Sequence, residues 1–506
     1  MLIELHCHTL RHSPCSNLDP VQALHRAVVM GLQGLVITEH EVLWSQEELS
    51  ELRREAELGS SFVLLSAQEV VTDIGHVLVF GADRSLPGQH SIDALRQSWP
   101  DAALVWAHPY RHERRPRQSR LTLPLIDAVE ILNTNHSRLG HYRAITDWHR
   151  LKFVATAGSD AHAREAVGRY PAQLDHPVGT IEELTTELRA GRVRPFLKEI
   201  PRAGTNDQVT EIIVGTKGPD EDRERIIVRQ VNEPRAWRKL HHALDVVLAL
   251  RSSGFEAGPY RVPAVLELNE EERIVVEESQ RGKLLFDLLT TVSPETGQGY
   301  LAESMRWLAR LHASGIRIGD VPDTLARERR RARSYARSFE TTRNPWASEV
   351  KLWLHALSKH QQGLLSGGAL CQNHGDYHPK NIIVGHDLLH DPSTRYVSVI
   401  DFAGSLVHHP ALDIGYFLEQ LRYQLRNSSQ ALVGVNEELL LQVYGEELAG
   451  LGQSPAADLQ TELPWFELRA ILSISSFLIK VGKGTSADME TLMSRARELW
   501  RATGRE

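Results

Sequence analysis

Short apolar runs, each closed or followed by a histidine or a carboxylate, set the frame for the first 200 residues of the chain. "GLVIT", "FVLLSA", "HVLVFG", "ALVWAHP", "AVEIL" and "FVATAGSD" alternate with helical stretches such as "DPVQALHRAVVMGL" and "SQEELSELRREAEL". Runs this short and apolar read as buried strands. Their alternation with amphipathic helices predicts an α/β fold whose strands run parallel. In such folds chemistry gathers at the C-terminal ends of the strands. His6, His40, Glu69, His108 and Asp160 all lie there.

Length and composition narrow the class. A chain of 506 residues exceeds one ordinary core and predicts two or three domains. The strand–helix rhythm stops around "VRPFLKEIPRAGTNDQ", which bounds a first domain at residues 1–198; a strand-rich section follows over 199–280 and a mostly helical one over 281–506. A net charge of −8 argues against a general nucleic-acid coat and leaves room for local basic patches. The three cysteines (Cys7, Cys15, Cys371) form no even framework, and no apolar run or leader-like segment stands out. A soluble cytoplasmic protein without membrane contact is therefore expected. Oligomeric state stays open.

His6 and His8 stand at i and i+2 of an extended run, so both imidazoles face one side. With Glu39-His40 of "VITEH", Glu69 of "SAQEV", His76, His108 of "WAHPYR", and Asp160 and His162 of "AGSDAH", they form a donor set of imidazole and carboxylate. Such donors suit zinc, manganese or iron. Cys7 falls on the opposite face and reads as core.

"ELHCHT", "VITEH", "AQEV", "GHVLVFG", "AHP" and "GSDAH", in this order, resemble the PHP (polymerase and histidinol phosphatase) domain over residues 1 to about 195. The resemblance implies a distorted (βα)7 barrel with two or three divalent metals at its C-terminal mouth and hydrolysis of a phosphate ester. It implies His6, His8, Glu69 and Asp160 at one metal, and Glu69 bridging to a second completed by His76 and His108. His40 and His162 would serve a third, where relatives add an Asp or His near the position of Ser13 and Pro14. A metal cluster neutralises phosphate oxygens and lowers the pKa of bound water. Loss of a bridging carboxylate should thus cost more than one metal. The loop "RHERRPRQSR" offers Arg111, Arg114 and Arg115 as forks for phosphate, or is an ordinary exposed loop.

A second constellation lies in "LCQNHGDYHPKNIIVG" and "VSVIDFAGS". Phosphoryl transfer needs a carboxylate to receive the acceptor hydroxyl's proton, which suits Asp376, and oxygen ligands for magnesium, which suit Asn381 and Asp401. HGDxHxxN followed by a strand ending in IDF resembles the aminoglycoside phosphotransferase and choline kinase superfamily, over about 200–505. "WLARLHASG" and "HHPALDIGYFL" support it, with Asp413 structural. The resemblance implies a two-lobed, protein-kinase-like α+β domain using ATP and Mg. Gly204, Thr205 and Asn206 would cover the phosphates, Arg229 would hold them in place of the usual lysine, and Glu277 to Ser279 would meet the adenine. Asp245 or Glu233 are the candidate partners for Arg229.

Together these features predict a bifunctional enzyme, a phosphoesterase for small phosphate monoesters joined to a kinase for a small-molecule alcohol, with the two activities sharing a metabolite. Two readings stand beside it: a PHP nuclease acting on nucleic-acid ends, and a phosphoesterase regulated by a kinase-like sensor without turnover. The arginine-rich stretch "RERRRARSYARS" reads either as a solvated helix face or as a contact for phosphate or an acidic ligand.

Overall fold

A computed structural model describes residues 1–202, 208–218, 223–388, 391–428 and 435–504. Gly204, Thr205 and Asn206 lie outside the described residues. The contacts divide the chain into two compact units, Met1–Gln230 with Leu266–Glu278, and Val231–Val265 with Ser279–Glu506.

The first unit is built on a nine-stranded sheet: β1 (Leu2–Glu4), β2 (Gly34–His40), β3 (Val63–Thr72), β4 (Gly75–Phe80), β5 (Ala103–Trp106), β6 (Ala128–Leu132), β7 (Ala155–Ala157), β8 (Ala172–Leu174) and β9 (Val193–Pro195). Their spatial order is β7-β6-β5-β4-β3-β2-β1-β8-β9. A parallel bridge between Cys7 and Ala161 links the segments that leave β1 and β7, so the sheet nearly closes into a barrel. Capped helices connect the strands. Asp19 accepts from the Gln22 amide ahead of Pro20, and Ser45 and Glu48 form a reciprocal capping box.

The expectation of uniformly parallel strands is corrected. β1–β2–β3 and β5–β6–β7 pair in parallel, but β4 is antiparallel to both β3 and β5. The cause is local: only Asp73 and Ile74 separate β3 from β4, too few for a crossover, and Gly75 turns the chain at φ +117°. β8 and β9 are antiparallel additions beside β1.

A five-stranded antiparallel sheet belongs to the same unit: β10 (Leu197–Arg202), β11 (Gln208–Val214), β12 (Glu224–Gln230), β15 (Ile274–Glu278) and β14 (Val265–Asn269), in that order. Ile212, Val214, Ile226 and Val276 share one buried cluster with Val129, Ile145 and Tyr170 of the barrel. Sheet and barrel thus have a common core.

The second unit is mostly helical around two small sheets, β13 (Tyr260–Arg261), β19 (Arg395–Val399), β18 (Ile382–His386) and β16 (Lys283–Leu284), and the pair β17 (Cys371–Asn373) with β20 (Leu406–His408). Its core centres on Trp307, stacked on Tyr377 and edge-on to Phe255. No helix among the described residues is long and apolar enough to cross a membrane.

A buried ion pair ties two long helices together. Glu328, on Val321–Thr341, accepts from Arg469 Nε at 2.7 Å and Nη2 at 2.9 Å, with Arg331 Nη1 at 2.9 Å. Burial opposes ionisation of Glu328, but the charges of Arg469 and Arg331 outweigh it and hold its pKa far below the ordinary 4.5. The folded carboxyl thus gives up its proton more readily than the unfolded one. Its stabilisation is present above about pH 4.5 and is lost as pH falls toward the folded value. Glu328→Ala, which strands Arg469 in the core, is expected to cost about 3–5 kcal/mol at neutral pH, read as an earlier denaturant transition, with the difference from wild type shrinking in acid.

Candidate metal centre and phosphotransfer loop

Eight side chains converge at the strand ends of the barrel and fall into three overlapping groups: His6, His8, Glu69 and Asp160; Glu69, His76 and His108; and His8, His40 and His162. Within each group the donor atoms lie within 4.8 Å of one another. Glu69, on β3, is the hub. Its Oε1 is 2.8 Å from His76 Nδ1 and 2.9 Å from His108 Nε2, and its Oε2 is 3.0 Å from His40 Nδ1 and 3.2 Å from His8 Nε2. His6, His8, Glu69, His108 and Asp160 are buried, whereas about a third of each of His40, His76 and His162 is exposed. Access to the cluster is from that side.

The hydrogen bonds around the cluster fix which nitrogens can act as ligands. His6 Nδ1 stands 3.0 Å from Glu130 Oε1, so it carries the proton and leaves the Nε2 lone pair facing the cluster. Ser13 Oγ gives its hydrogen to Glu39 Oε2 at 2.5 Å and can only accept from His8 Nδ1 at 3.3 Å. His8 Nε2 therefore also presents a lone pair. The two Nε2 atoms sit 3.0 Å apart, and Asp160 Oδ1, buried without a hydrogen-bond partner, lies 3.2 Å from one and 3.4 Å from the other. Lone pairs and carboxylates brought this close repel unless a cation lies among them, so the donor set fits a divalent metal. Burial works against charge on His6, but Asp160, Glu130 and Glu69 outweigh it and hold the His6 pKa well above its ordinary value, so that without a cation Nε2 takes up a proton, and a metal bound there would replace it. The same field favours any cation.

Residues not expected from their motifs complete the support. Glu130 sits inside "AVEIL", where a carboxylate in a fully buried strand needs partners; that was the available signal. Besides His6 it accepts from the His108 amide at 2.9 Å and from Asn133 Nδ2 at 2.8 Å. Asn135 Nδ2 holds Asp160 Oδ2 at 2.6 Å. The Asn133 amide meets His141 Nε2 at 3.2 Å, whose Nδ1 lies 2.9 Å from Glu224 Oε1 on β12. A continuous buried chain of hydrogen bonds thus joins the five-stranded sheet to His6. His108 (φ +35°) and Asp160 (φ +49°) both occupy the left-handed region, strain that the surrounding bonds must hold in place.

Gly158 closes the floor. A methyl group there would lie 2.5 Å from both His6 Cβ and Glu130 Oε1. Gly158→Ala is expected to displace the His6–Glu130 pair at a cost of about 1–3 kcal/mol and to lower the bound metal, measured by elemental analysis.

Near the third group, His12 pairs with Glu48 at 3.0 Å, and Cys15 is exposed. Arg115 is held on Asp147 by two hydrogen bonds of 3.1 and 2.8 Å, so its fork is already engaged. Arg111 and Arg114 form no ion pair among the described residues.

In the first unit Arg229 Nε bonds Glu277 Oε2 at 2.7 Å; β12 and β15 are adjacent, and the register places Arg229 opposite Val275. Asp245 lies 3.8 Å from His241 on its own helix, and Glu233 precedes that helix.

In the second unit the loop between β17 and β18 carries Asp376 and Asn381. Asp413, fully buried, accepts from the His374 amide at 2.6 Å and the Gly375 amide at 2.8 Å, and His312 Nε2 lies 3.4 Å away. The histidine of "WLARLH" and the aspartate of "HHPALD" therefore hold one loop. His374 Nε2 donates to Ile400 O at 3.0 Å, and the Ile400 amide to Asn381 O at 3.0 Å; these two bonds lock the loop to the segment bearing Asp401, which has φ +66°. Asn381 Nδ2 donates to Asp376 O at 3.0 Å. Burial would raise the Asp376 pKa, but the hydrogen bond and charge of His378 prevail and bring it to about 2. Asp376 is thus ionised at neutral pH with its carboxylate partly exposed. Ser279 is described as a loop residue of this unit.

Comparisons with known proteins match two stretches of the chain. Residues 212–446 match the model of the phosphotransferase enzyme family (APH), and residues 141–193 match the PHP-associated model (PHP_C). The chain thus carries a phosphotransferase-family domain and a PHP-associated segment. Macrolide 2'-phosphotransferase MphH from Brachybacterium faecium is 17% identical, the match covering 59% of this chain and 91% of that one, at a TM-score of 0.34. Plasmodium vivax ethanolamine kinase is 12% identical over 60% of this chain and 82% of its own, at 0.38. A protein from Bifidobacterium adolescentis assigned as a metal-dependent phosphoesterase is 16% identical over 32% of this chain and 88% of its own, at 0.26. No curated protein matches the sequence significantly.

Proposed function

We propose that the chain is a bifunctional enzyme: its barrel, a distorted (βα)7 PHP barrel, hydrolyses small phosphate monoesters with two or three divalent metals, and its two-lobed kinase-like part transfers phosphate from ATP to a small-molecule alcohol. The single observation that carries the first half is the overlap of three donor groups, two of which share Glu69. His6, His8, Glu69 and Asp160 would hold one zinc, manganese or iron, Glu69 with His76 and His108 a second, and His8, His40 and His162 a third. Bound there, the metals supply an activated water and neutralise the phosphate oxygens. The chain's own part is to hold the donors: Glu130 fixes the tautomer of His6, Ser13 that of His8, and Asn135 orients Asp160. Arg111 and Arg114, beside the mouth in sequence, are the remaining guanidinium candidates for the substrate's phosphate.

For the second half, the family match over residues 212–446 supports phosphoryl transfer. Asp376 would accept the proton of the acceptor hydroxyl, and Asn381 and Asp401 would hold Mg. Arg229, steadied by Glu277, would meet the ATP phosphates, with Gly204, Thr205 and Asn206 as their cover and Glu277 to Ser279 near the adenine. The test is a screen of phosphate monoesters for phosphate release by metal-loaded protein at two ionic strengths. Release insensitive to salt is expected of a monoesterase; cleavage of oligonucleotide ends that falls steeply with salt would favour the nuclease.

A further inference from the structure

We infer that a cleft in the second unit, between the helices Pro234–Leu250 and Val321–Thr341, is a binding site for a small polyanion bearing two or more phosphate or carboxylate groups. The cleft has a volume of about 800 Å³, the size of a small-molecule site. One wall presents Arg235, Arg238, Lys239 and His242, and the other Arg327, Arg330, Arg331 and Ser334. Both sets follow the i, i+3, i+4, i+7 spacing that puts residues on one helix face. Two basic stripes therefore face one space.

Like charges at this spacing destabilise a helix unless a counter-charge is supplied. Protein groups supply little of it. Asp320 and Asp323 are the carboxylates lining the cleft, and Asp320 Oδ1 is taken up in capping its helix, 2.7 Å from the Asp323 amide. Arg331 shares the buried Glu328 with Arg469. Arg235, Arg238, Lys239 and Arg330 make no ion pair among the described residues. The floor is ordered: Arg327 donates to Ser405 O at 2.8 Å and Ala403 O at 3.0 Å, and His242 Nε2 donates to Ser405 O at 3.1 Å. Burial and the neighbouring Arg331 bring the Arg327 pKa down to about 10, as expected where positive charge is in excess.

The cleft also adjoins the phosphotransfer loop. Gly404 lies between the lining residues Ala403 and Ser405, and a methyl group on it would fall 3.2 Å from Asp376 Cβ. A polycationic ligand would be repelled from such a wall; a polyanion would bridge it through paired guanidinium contacts. Binding here does not require turnover by Asp376, so the inference stands or falls separately from the proposed kinase activity.

The test is calorimetric titration of the full chain with inorganic pyrophosphate, comparing wild type with Arg238→Gln, Arg330→Gln and Asp376→Asn. Arg238 and Arg330 are exposed, so their loss leaves the core intact, which circular dichroism checks. Wild type and Asp376→Asn are expected to bind alike, and each arginine variant about tenfold more weakly. Equal affinity in wild type and both arginine variants, or no binding by wild type, would overturn the inference. So would an oligonucleotide whose binding depends on Arg238 and Arg330 when pyrophosphate does not bind.

Discussion

Glu69→Gln should release more than one metal equivalent from the purified protein. A substitution that touched one isolated ligand would lose one ion, but the Glu69 carboxylate faces four imidazole nitrogens within 3.2 Å and belongs to two donor groups. The amide keeps the shape and gives up the charge that offsets two cations. Phosphate release should fall by more than about 10²-fold, since even the outer partners of metal ligands cost 10- to 100-fold when removed. Elemental analysis of wild type and variant, purified side by side, reads the effect. Loss of a single equivalent would mean that Glu69 does not bridge.

Asp376→Asn should remove ATP-dependent phosphorylation while leaving the ATP concentration dependence in place. Asp376 is ionised and partly exposed in a loop whose geometry is set by other residues, namely Asp413, His312, His374 and Asn381. An asparagine there keeps the backbone contacts and cannot take up a proton. The expected loss in kcat is about 10²–10⁴-fold, the range for removal of a general base. Variants of Asp413 should behave differently. With that carboxylate gone, the His374 and Gly375 amides lose their acceptor, and stability should fall together with activity. Comparison of the two variants separates proton transfer from loop positioning.

Much of the candidate metal site was legible because most donors end or follow an apolar run, and strand ends in an α/β sheet converge; His76, at the start of β4, joins them because that strand runs antiparallel. The order itself was less legible. Parallel and antiparallel neighbours present the same apolar runs, and the two-residue link between β3 and β4 carried the distinction. The support of the ligands was hidden for another reason. Asn133, Asn135 and Ser13 are ordinary loop residues in sequence, and their hydrogen bonds to Glu130, Asp160 and His8 exist only once distant segments meet. Ser13 orients His8, and His8 itself completes the third group.

The second unit repeats the contrast. "HGDxHxxN" and "IDF" were recognisable because phosphoryl transfer dictates residue types at short spacing. The partner of Arg229 was not, because the helix 234–250 and its cap carry acids at the sequence spacing of a helical partner, whereas Glu277 comes from the neighbouring strand. Arg115 reads in sequence as a phosphate fork, but Asp147, thirty-two residues away, occupies it. The arginines of "RERRRARSYARS" face solvent and cleft alike, and only the second helix reveals which of them oppose other cations.

The most direct measurement takes one preparation each of wild type, Glu69→Gln and Asp376→Asn and assays all three for phosphate release from monoesters and for ATP-dependent phosphorylation of alcohols. Two independent centres predict that Glu69→Gln loses only release and Asp376→Asn loses only phosphorylation. If both variants lost the same activity, or if wild type performed neither reaction with metals and magnesium supplied, the account of two phosphorus-handling centres on one chain would be contradicted.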